Sequence, residues 1–461
     1  MIRIDVLPDE ILLIIFDFYV VPDLRSKPEI EKWTSLVHVC RRWRSLVFGS
    51  PRRLNVRLFC TPETPSRDTL DVWPALPLII DGNISFTSNK DNIDFALEHN
   101  NRIHEVGLWK VEDYRLEEVL AAMQVPFPMV TRLGLAAIPY SPTLQSVPNS
   151  FLGGSAPSLR HFSLGGIPFP GLSKFLLSAT HLVNLHLHFP HSAYIPPEEM
   201  VTCLSVLTSL ENFALRFQSL QPHPNRVTQR LPLAACSVLP SLRVLQFRGS
   251  SGYLEDLVAR IDAPRLYLVY MTSNQTNFGI SQLIEFISRI PALEAPVGAR
   301  AVFEFDVARV ELISQTFGHG IFSVEFPYTV SPEYQLSSLV QVLASSSYLL
   351  STVENLYIED QGSCLKTTSR VEATQWWEFL RPFVAVKNIH LFTTIAFHIT
   401  YSLQELGGGR SIEVLPALQN IFFRPEVGPP DPSSLVRGPM GQFVAARQLL
   451  GHSIIITISD W

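Results

Sequence analysis

Eleven short segments of this chain carry apolar residues at positions i, i+3 and i+5, and their spacing constrains the fold more than any other feature. The first six are Ile103/Val106/Leu108, Val130/Leu133/Leu135, Leu159/Phe162/Leu164, Leu182/Leu185/Leu187, Leu210/Phe213/Leu215 and Leu242/Leu245/Phe247. The template continues at Leu266/Val269/Met271, Ile321/Val324/Phe326, Val353/Leu356/Ile358, Val386/Ile389/Leu391 and Leu418/Ile421/Phe423. Leu293 opens a degenerate copy whose i+3 position is Pro296. From Ile103 to Leu418 the anchors advance in eleven steps of 23 to 33 residues, a mean near 29. The i+3 and i+5 side chains share one face of an extended strand. Apolar-periodic stretches at 91–100, 116–123, 172–179, 197–207, 253–261, 279–290, 336–347 and 372–380 read as helices between those strands. A strand, turn and helix recurring at this period predicts a stacked repeat array, with parallel strands on one side and helices on the other.

Turn chemistry agrees. APSL, LPSL, APRL, IPAL and LPAL announce several of the strands, and 35 prolines in 461 residues suit one or two proline-marked turns per repeat. Composition supplies the core: 46% of the chain is hydrophobic and only 17% charged, against about 25% charged in an average globular domain. That excludes a disordered chain. With a net charge of −6 and no block of Lys and Arg, the chain is not expected to bind nucleic acid or an anionic membrane. Its five cysteines, Cys40, Cys60, Cys203, Cys236 and Cys364, include no CxxC pair. They suggest neither a disulfide framework nor a thiolate metal site, and a reducing intracellular location, cytoplasmic or nuclear, is expected. The opening MIRIDVLPDE is too acidic for a secretory leader, and the apolar run that follows stops at Asp17, far short of the roughly 20 residues of a membrane span. The sequons at Asn83 and Asn274 are accordingly taken as chance matches.

Residues 1–55 follow a different rule. Pro8, Asp9 and Glu10 suit the start of a helix, Ile11 through Phe16 are all apolar, and Pro22 ends the run. After a polar link, Trp33, Leu36, Val37, Cys40, Trp43 and Val47 recur at helical spacing as far as Gly49-Ser50-Pro51. A helix apolar all round, in a unit too small to enclose it, must offer one side to a partner or to the following domain. The stretches LPDEILLIIF and VCRRW carry a family resemblance: they look like the F-box, with a Leu-Pro-x-Glu start and a Val-Cys-x-x-Trp finish. The segment VVPDLRSKPEIEKWTSL between them is a few residues longer than usual. The array after it resembles the leucine-rich repeats that follow F-boxes, and the combination is similar to F-box-like proteins of fungi. The repeat's usual turn asparagine is replaced at Ile167 and Pro190, so no Asn ladder is expected at those turns.

The expected fold is thus α/β: a helical F-box module over 1–55, an irregular leucine-rich-repeat-like solenoid over 56–440, and a C-terminal helix and strand cap over 441–461. A first strand is expected at 73–81, and the loop RPEVGPPDPSSLVRGP before the last helix is expected to lack regular structure. The resemblance implies a substrate-recognition subunit of a cullin–RING ubiquitin ligase. Its F-box would dock on a Skp-family adaptor through Leu7, Pro8, Ile11, Leu12, Ile15, Phe16, Cys40 and Trp43. Its repeats would hold an unidentified target protein.

The outward row of the strands, at i+2, i+4 and i+6, is the candidate target surface. Trp109, Arg132, His186, His188, Arg216, Arg248, Tyr357, Phe392 and Phe422 supply the aromatic, Arg and His mixture of a recognition surface. Signatures of catalysis are missing: there is no HExxH, phosphate loop, GxSxG or GxGxxG. No enzyme activity, cofactor or metal is therefore expected. Of the local group His181, His186, His188 and His191, His186 and His188 share one strand face and read as concave-surface residues rather than metal ligands, and Arg41, Arg42 and Arg44 as solvated charges flanking a helix. One of Trp376 and Trp377 is expected in the core. An alternative function is a non-catalytic scaffold whose F-box-like segment only caps the array. An enzyme built on the solenoid is the remaining class.

Overall fold

The computed structural model describes residues 7–20, 32–51, 53–63, 66–84, 90–138, 145–218, 236–273, 281–291, 296–304, 307–314, 320–327, 332–360, 373–405, 412–424 and 438–458. The chain forms two compact units, Met1–Leu185 and His186–Trp461. The first unit opens with three helices, α1 (Asp9–Val20), α2 (Lys32–Val37) and α3 (Arg41–Gly49). Five parallel strands follow in spatial order: β1 (Leu58–Cys60), β2 (Leu78–Asn83), β3 (Ile103–Val111), β4 (Arg132–Ala137) and β5 (His161–Gly165). Helices at Ser66–Val72, Lys90–Leu97, Asp113–Ala122 and Leu172–Ser178 alternate with them. Strand β6 (Asn184–Phe189) contains the position at which the units divide.

In the second unit the strands are β7 (Asn212–Phe217), β8 (Ser237–Val238), β9 (Val244–Arg248), β10 (Ile261–Asp262), β11 (Leu268–Thr272), β12 (Gly298–Phe303), β13 (Val307–Ile313), β14 (Gly320–Pro327), β15 (Asn355–Asp360), β16 (Asn388–Phe392), β17 (Asn420–Arg424) and β18 (Ile455–Ile458). β8 and β10 form a small parallel pair beside the main sheet. The main sheet has the order β7-β9-β11-β14-β13-β12-β15-β16-β17-β18. This is a leucine-rich-repeat-like α/β solenoid, and the triplets explain it. Every member of the eleven triplets is at most 3% exposed. Parallel register sets them in rows, as in Leu356↔Ile389↔Ile421. Each such side chain contributes about 1.5–3 kcal/mol of burial, so a repeat held by three of them cannot slip by one residue without exposing all three.

The fold departs from the sequence reading where the triplet fails. β12, β13 and β14 form an antiparallel meander inserted in reverse order, so β14 pairs with β11 and β12 with β15. The degenerate copy begins at Leu293, outside the described residues, and its strand β12 buries Ala299 and Ala301 where other repeats bury larger residues. β13 is antiparallel, which corrects the expectation of an all-parallel sheet. The strand expected at 73–81 begins only at Leu78, because Pro74 and Pro77 interrupt it and Trp73 turns instead toward Trp33, His38 and Phe48, with centroids 5.2, 6.0 and 6.0 Å away. β1 precedes it as the edge strand. The proline-rich loop falls almost wholly at 425–437, outside the described residues.

Asparagines do form a ladder, at a position other than the turns. Asn388 donates to Asn355 over 2.9 Å and Asn420 to Asn388 over 2.8 Å, joining the first residues of β15, β16 and β17. The last helix, Pro439–Leu449, carries the fully buried Arg447, which donates to the carbonyls of Val414, Leu415 and Pro416 at 3.0–3.1 Å. Leu415 has φ +52°, and the guanidinium satisfies the carbonyls which that left-handed turn directs inward. Trp376 is fully buried, while Trp377 donates its indole N–H to the Ser402 carbonyl over 2.6 Å.

Candidate functional site

Two surfaces are built from the predicted residues. On α1 the amides of Ile11 and Leu12 donate to the Pro8 carbonyl at 3.1 Å, starting the helix. Arg42, on α3, donates to the Leu7 carbonyl at 2.6 Å and to the Asp9 carboxylate, while Arg44 Nε donates to the Val37 carbonyl at 2.9 Å. Two of the three arginines read as solvated charges are therefore clamps that hold the helices together. α2 and α3 are separate helices because Cys40 is an extended N-cap, its Sγ accepting from the Trp43 amide at 3.5 Å.

Leu12 and Phe16, expected on the docking surface, are instead fully buried, and Phe16 packs against Trp43 at 4.7 Å between ring centroids. With α1 apolar on all sides, sequence alone could not say which stripe faces inward. Residues 12 and 16 are one turn apart and form the inner stripe. Ile11, Ile14, Ile15 and Phe18 form the outer one, exposed to 42, 43, 40 and 80%. Ile14 and Phe18 are thus additions to the predicted set. Pro8 and Cys40 are exposed with them, Leu7 and Trp43 half-buried.

The second surface is the sheet face turned away from the helices. In the first unit its polar groups are largely satisfied by one another. Arg57 and Arg132 both pair with Glu105, and the Thr131 hydroxyl lies 3.0 Å from His104 Nδ1. Trp109 lies flat across its neighbours: a Cβ at Gly134 would stand 2.6 Å from the indole, and one at Gly107 would stand 2.7 Å from the Asp81 carboxylate. At Gly134 only glycine leaves room for the ring. Burial pushes the Asp81 carboxyl up, opposed by the hydrogen bond from the indole. Trp109 keeps 38% of its surface exposed.

In the second unit the face changes character along the sheet. Tyr357, His390 and Phe422 sit opposite one another on β15, β16 and β17 and stack with centroids 4.3 and 4.6 Å apart and planes within 10°. Burial lowers the His390 imidazole to about 4, so a neutral ring completes the stack. Phe392 lies beneath the guanidinium of Arg424 at 5.1 Å. Nearer the meander, Arg300 forks onto Glu359 at 2.7 and 2.8 Å, Arg309 pairs with Glu304 and Glu311, and the Tyr270 hydroxyl donates to Glu325. His186, His188, Arg216 and Arg248 are exposed on the same face. Burial lowers both histidines, and the charge of Arg216 lowers them further; Arg248 adds to this at His188. Sequence reading placed His390 in the outward row, at i+4 with Tyr357 and Phe422, without counting it a target contact; it missed Glu325 and the ion pairs of Arg309 as part of this face.

Comparison with known proteins adds the following. Residues 4–57 match the F-box-like family model. No curated protein matches the chain. Among solved structures, the leucine-rich repeat-containing protein LegL7 from Legionella pneumophila is matched at 12% identity and a TM-score of 0.25, over 84% of this chain and 98% of that one. Among the described residues, no helix is long and apolar enough to cross a membrane.

Proposed function

We propose that the chain is the substrate-recognition subunit of an SCF-type cullin–RING ubiquitin ligase, acting inside the cell. The F-box-like helices dock on a Skp-family adaptor and the sheet face of the repeats binds the target. The observation that carries this reading is the exposed apolar stripe Ile11, Ile14, Ile15 and Phe18 on a helix whose opposite stripe is buried. Four large apolar side chains in one stripe mark an interaction surface rather than scattered exposure. Pro8 and Cys40 complete the docking set on this reading, Leu7 and Trp43 shape it, and Leu12 and Phe16 support it from within. Ile14 and Phe18 join it. The chain itself makes and breaks no bond; it raises the effective concentration of a target lysine at a charged conjugating enzyme. Trp109, Arg132, His186, His188, Arg216, Arg248, Tyr357, Phe392 and Phe422 are the proposed target contacts. The test is co-purification of the full chain with a Skp-family adaptor. A stoichiometric complex that survives gel filtration supports the reading, and none forming at micromolar concentrations refutes it.

One observation favours a second reading, a scaffold whose helical module serves only as a cap. Trp33 and Phe48 share an aromatic cluster with Trp73, from the segment leading into β2, and the Trp33 indole donates to the Arg57 carbonyl at 3.1 Å. The helices then cover the edge of the first repeats and recruit no ligase. Adaptor binding by the full chain separates the two.

A further inference from the structure

Resting on the reading of this sheet face as the target surface, the structure assigns to Arg216 and Arg248 a specific partner chemistry: we infer that they take the carboxylates of an acidic, extended peptide segment of the target protein. The two arginines occupy directly opposed positions on neighbouring parallel strands, β7 and β9. Like charges so placed repel and destabilise the pair. Elsewhere on the face of this unit the same residue type is neutralised: Arg300 by Glu359, and Arg309 by Glu304 and Glu311. Arg216 reaches only the neutral amide of Gln246, at 3.4 Å, and among the described residues no carboxylate forms an ion pair with it or with Arg248. The acidic group in register is Glu325, opposite Thr272, which itself lies opposite Arg248; burial raises its carboxyl and both arginines lower it, yet it forms an ion pair with neither and accepts from Tyr270, so one carboxylate faces two guanidiniums.

His186 and His188 extend the cluster along β6, exposed and held neutral at pH 7, so they offer hydrogen bonds without further charge. A positive spot thus stands out on a chain of net charge −6. Its strand spacing of about 4.8 Å matches carboxylates on successive same-side residues of an extended peptide, which lie about 6.5 Å apart and converge through flexible side chains. Planar guanidinium forks suit carboxylates in particular.

The experiment uses full-length protein without adaptor and a fluorescein-labelled decapeptide of alternating Glu and Ser, followed by fluorescence anisotropy. Saturable binding that weakens with added salt is expected. It should fall at least tenfold in Arg216→Glu with Arg248→Glu and stay within twofold in Arg265→Glu, an exposed arginine off this face. Arg216→Gln with Arg248→Gln, checked by circular dichroism for an unchanged fold, should lose threefold or more. Equal binding by the double variants, no binding by wild type, or stronger binding to polyuridylate RNA or to phosphatidylserine vesicles than to the peptide overturns the inference. Adaptor docking is measured separately, so failure here leaves that reading standing and failure there leaves this one.

Discussion

The inner and outer stripes of α1 should answer to mutation in opposite ways. Ile11, Ile14 and Ile15 are each about two-fifths exposed and Phe18 four-fifths. Full burial of such a side chain contributes about 1.5–3 kcal/mol, so the area still open to a partner holds about 4–5 kcal/mol. A micromolar complex needs about 8 kcal/mol, which makes this stripe the larger part of any docking energy. Ile11→Asp with Ile15→Asp removes about 2 kcal/mol of that term and asks a partner to desolvate two carboxylates, so adaptor binding should weaken at least about a hundredfold. Stability should fall by only about 1–2 kcal/mol per substitution, because about two-fifths of each side chain is already exposed. Phe16→Ala should do the reverse. That ring is fully buried against Trp43, and its removal should cost about 3–5 kcal/mol of unfolding free energy. Isothermal titration calorimetry with the purified adaptor, beside thermal melts of each variant, reads both quantities. Adaptor binding undiminished in the double aspartate variant would refute the assignment of the outer stripe. So would a melting point lowered as far by Ile15→Asp as by Phe16→Ala.

Three further outcomes are expected. Asn388→Ala breaks two amide hydrogen bonds of the ladder at once and should cost about 2 kcal/mol in urea unfolding, against under 0.5 kcal/mol for the exposed Lys174→Ala; equal costs would deny the ladder a structural role. Arg447→Ala takes the donor from the Val414 and Pro416 carbonyls, leaves Leu415's with only the Leu418 amide, and should cost about 2 kcal/mol, seen as early unfolding of the C-terminal repeats by hydrogen exchange, with unchanged protection there as the contrary result. Folding holds His390 at about 4, below its unfolded 6.5, so the unfolded chain binds the extra proton between those values. The stabilisation is complete above pH 6.5 and is lost as pH falls toward 4. For a partly solvated ring this amounts to roughly 1–2 kcal/mol. His390→Phe should flatten that part of the pH–stability curve while keeping the stack, and an identical slope in both proteins would count against it.

What was legible in the sequence was whatever depends on repetition. The eleven triplets named the buried row of eleven of the eighteen described strands, because the period-2 alternation of a strand and the steady repeat length leave one solution that buries them all. Helices with a clear apolar face were legible for the same reason. The helix Thr393–Glu405 was not, since TTIAFHITYSLQE mixes β-branched and aromatic residues that favour strands, and only packing decides it. The reversed meander was hidden because VARVELI alternates as any strand does, and alternation carries no direction. On α1 the period was uninformative because every position was apolar; the buried stripe was chosen by where Trp43 stands, a contact 27 residues away in sequence. Side-chain ladders escaped notice for a similar reason. Asn355, Asn388 and Asn420 lie 32 or 33 residues apart and meet only once the register is set.

The two proposed surfaces use different physics, and this follows from what each must recognise. A stripe of Ile and Phe gives affinity without direction, so it suits a partner of fixed shape that supplies a matching apolar groove. The sheet face does little of that: its polar groups are mostly satisfied among themselves, as at Arg57–Glu105–Arg132 and Arg300–Glu359, and its largest ring, Trp109, is folded down onto glycines. Internally satisfied groups gain little from a partner, since a new contact must first break an existing one. Selectivity therefore falls to the few groups left with unmet demand, foremost the opposed Arg216 and Arg248. Charge reversal at these two arginines should therefore change which peptides bind while leaving the adaptor affinity set by α1 untouched.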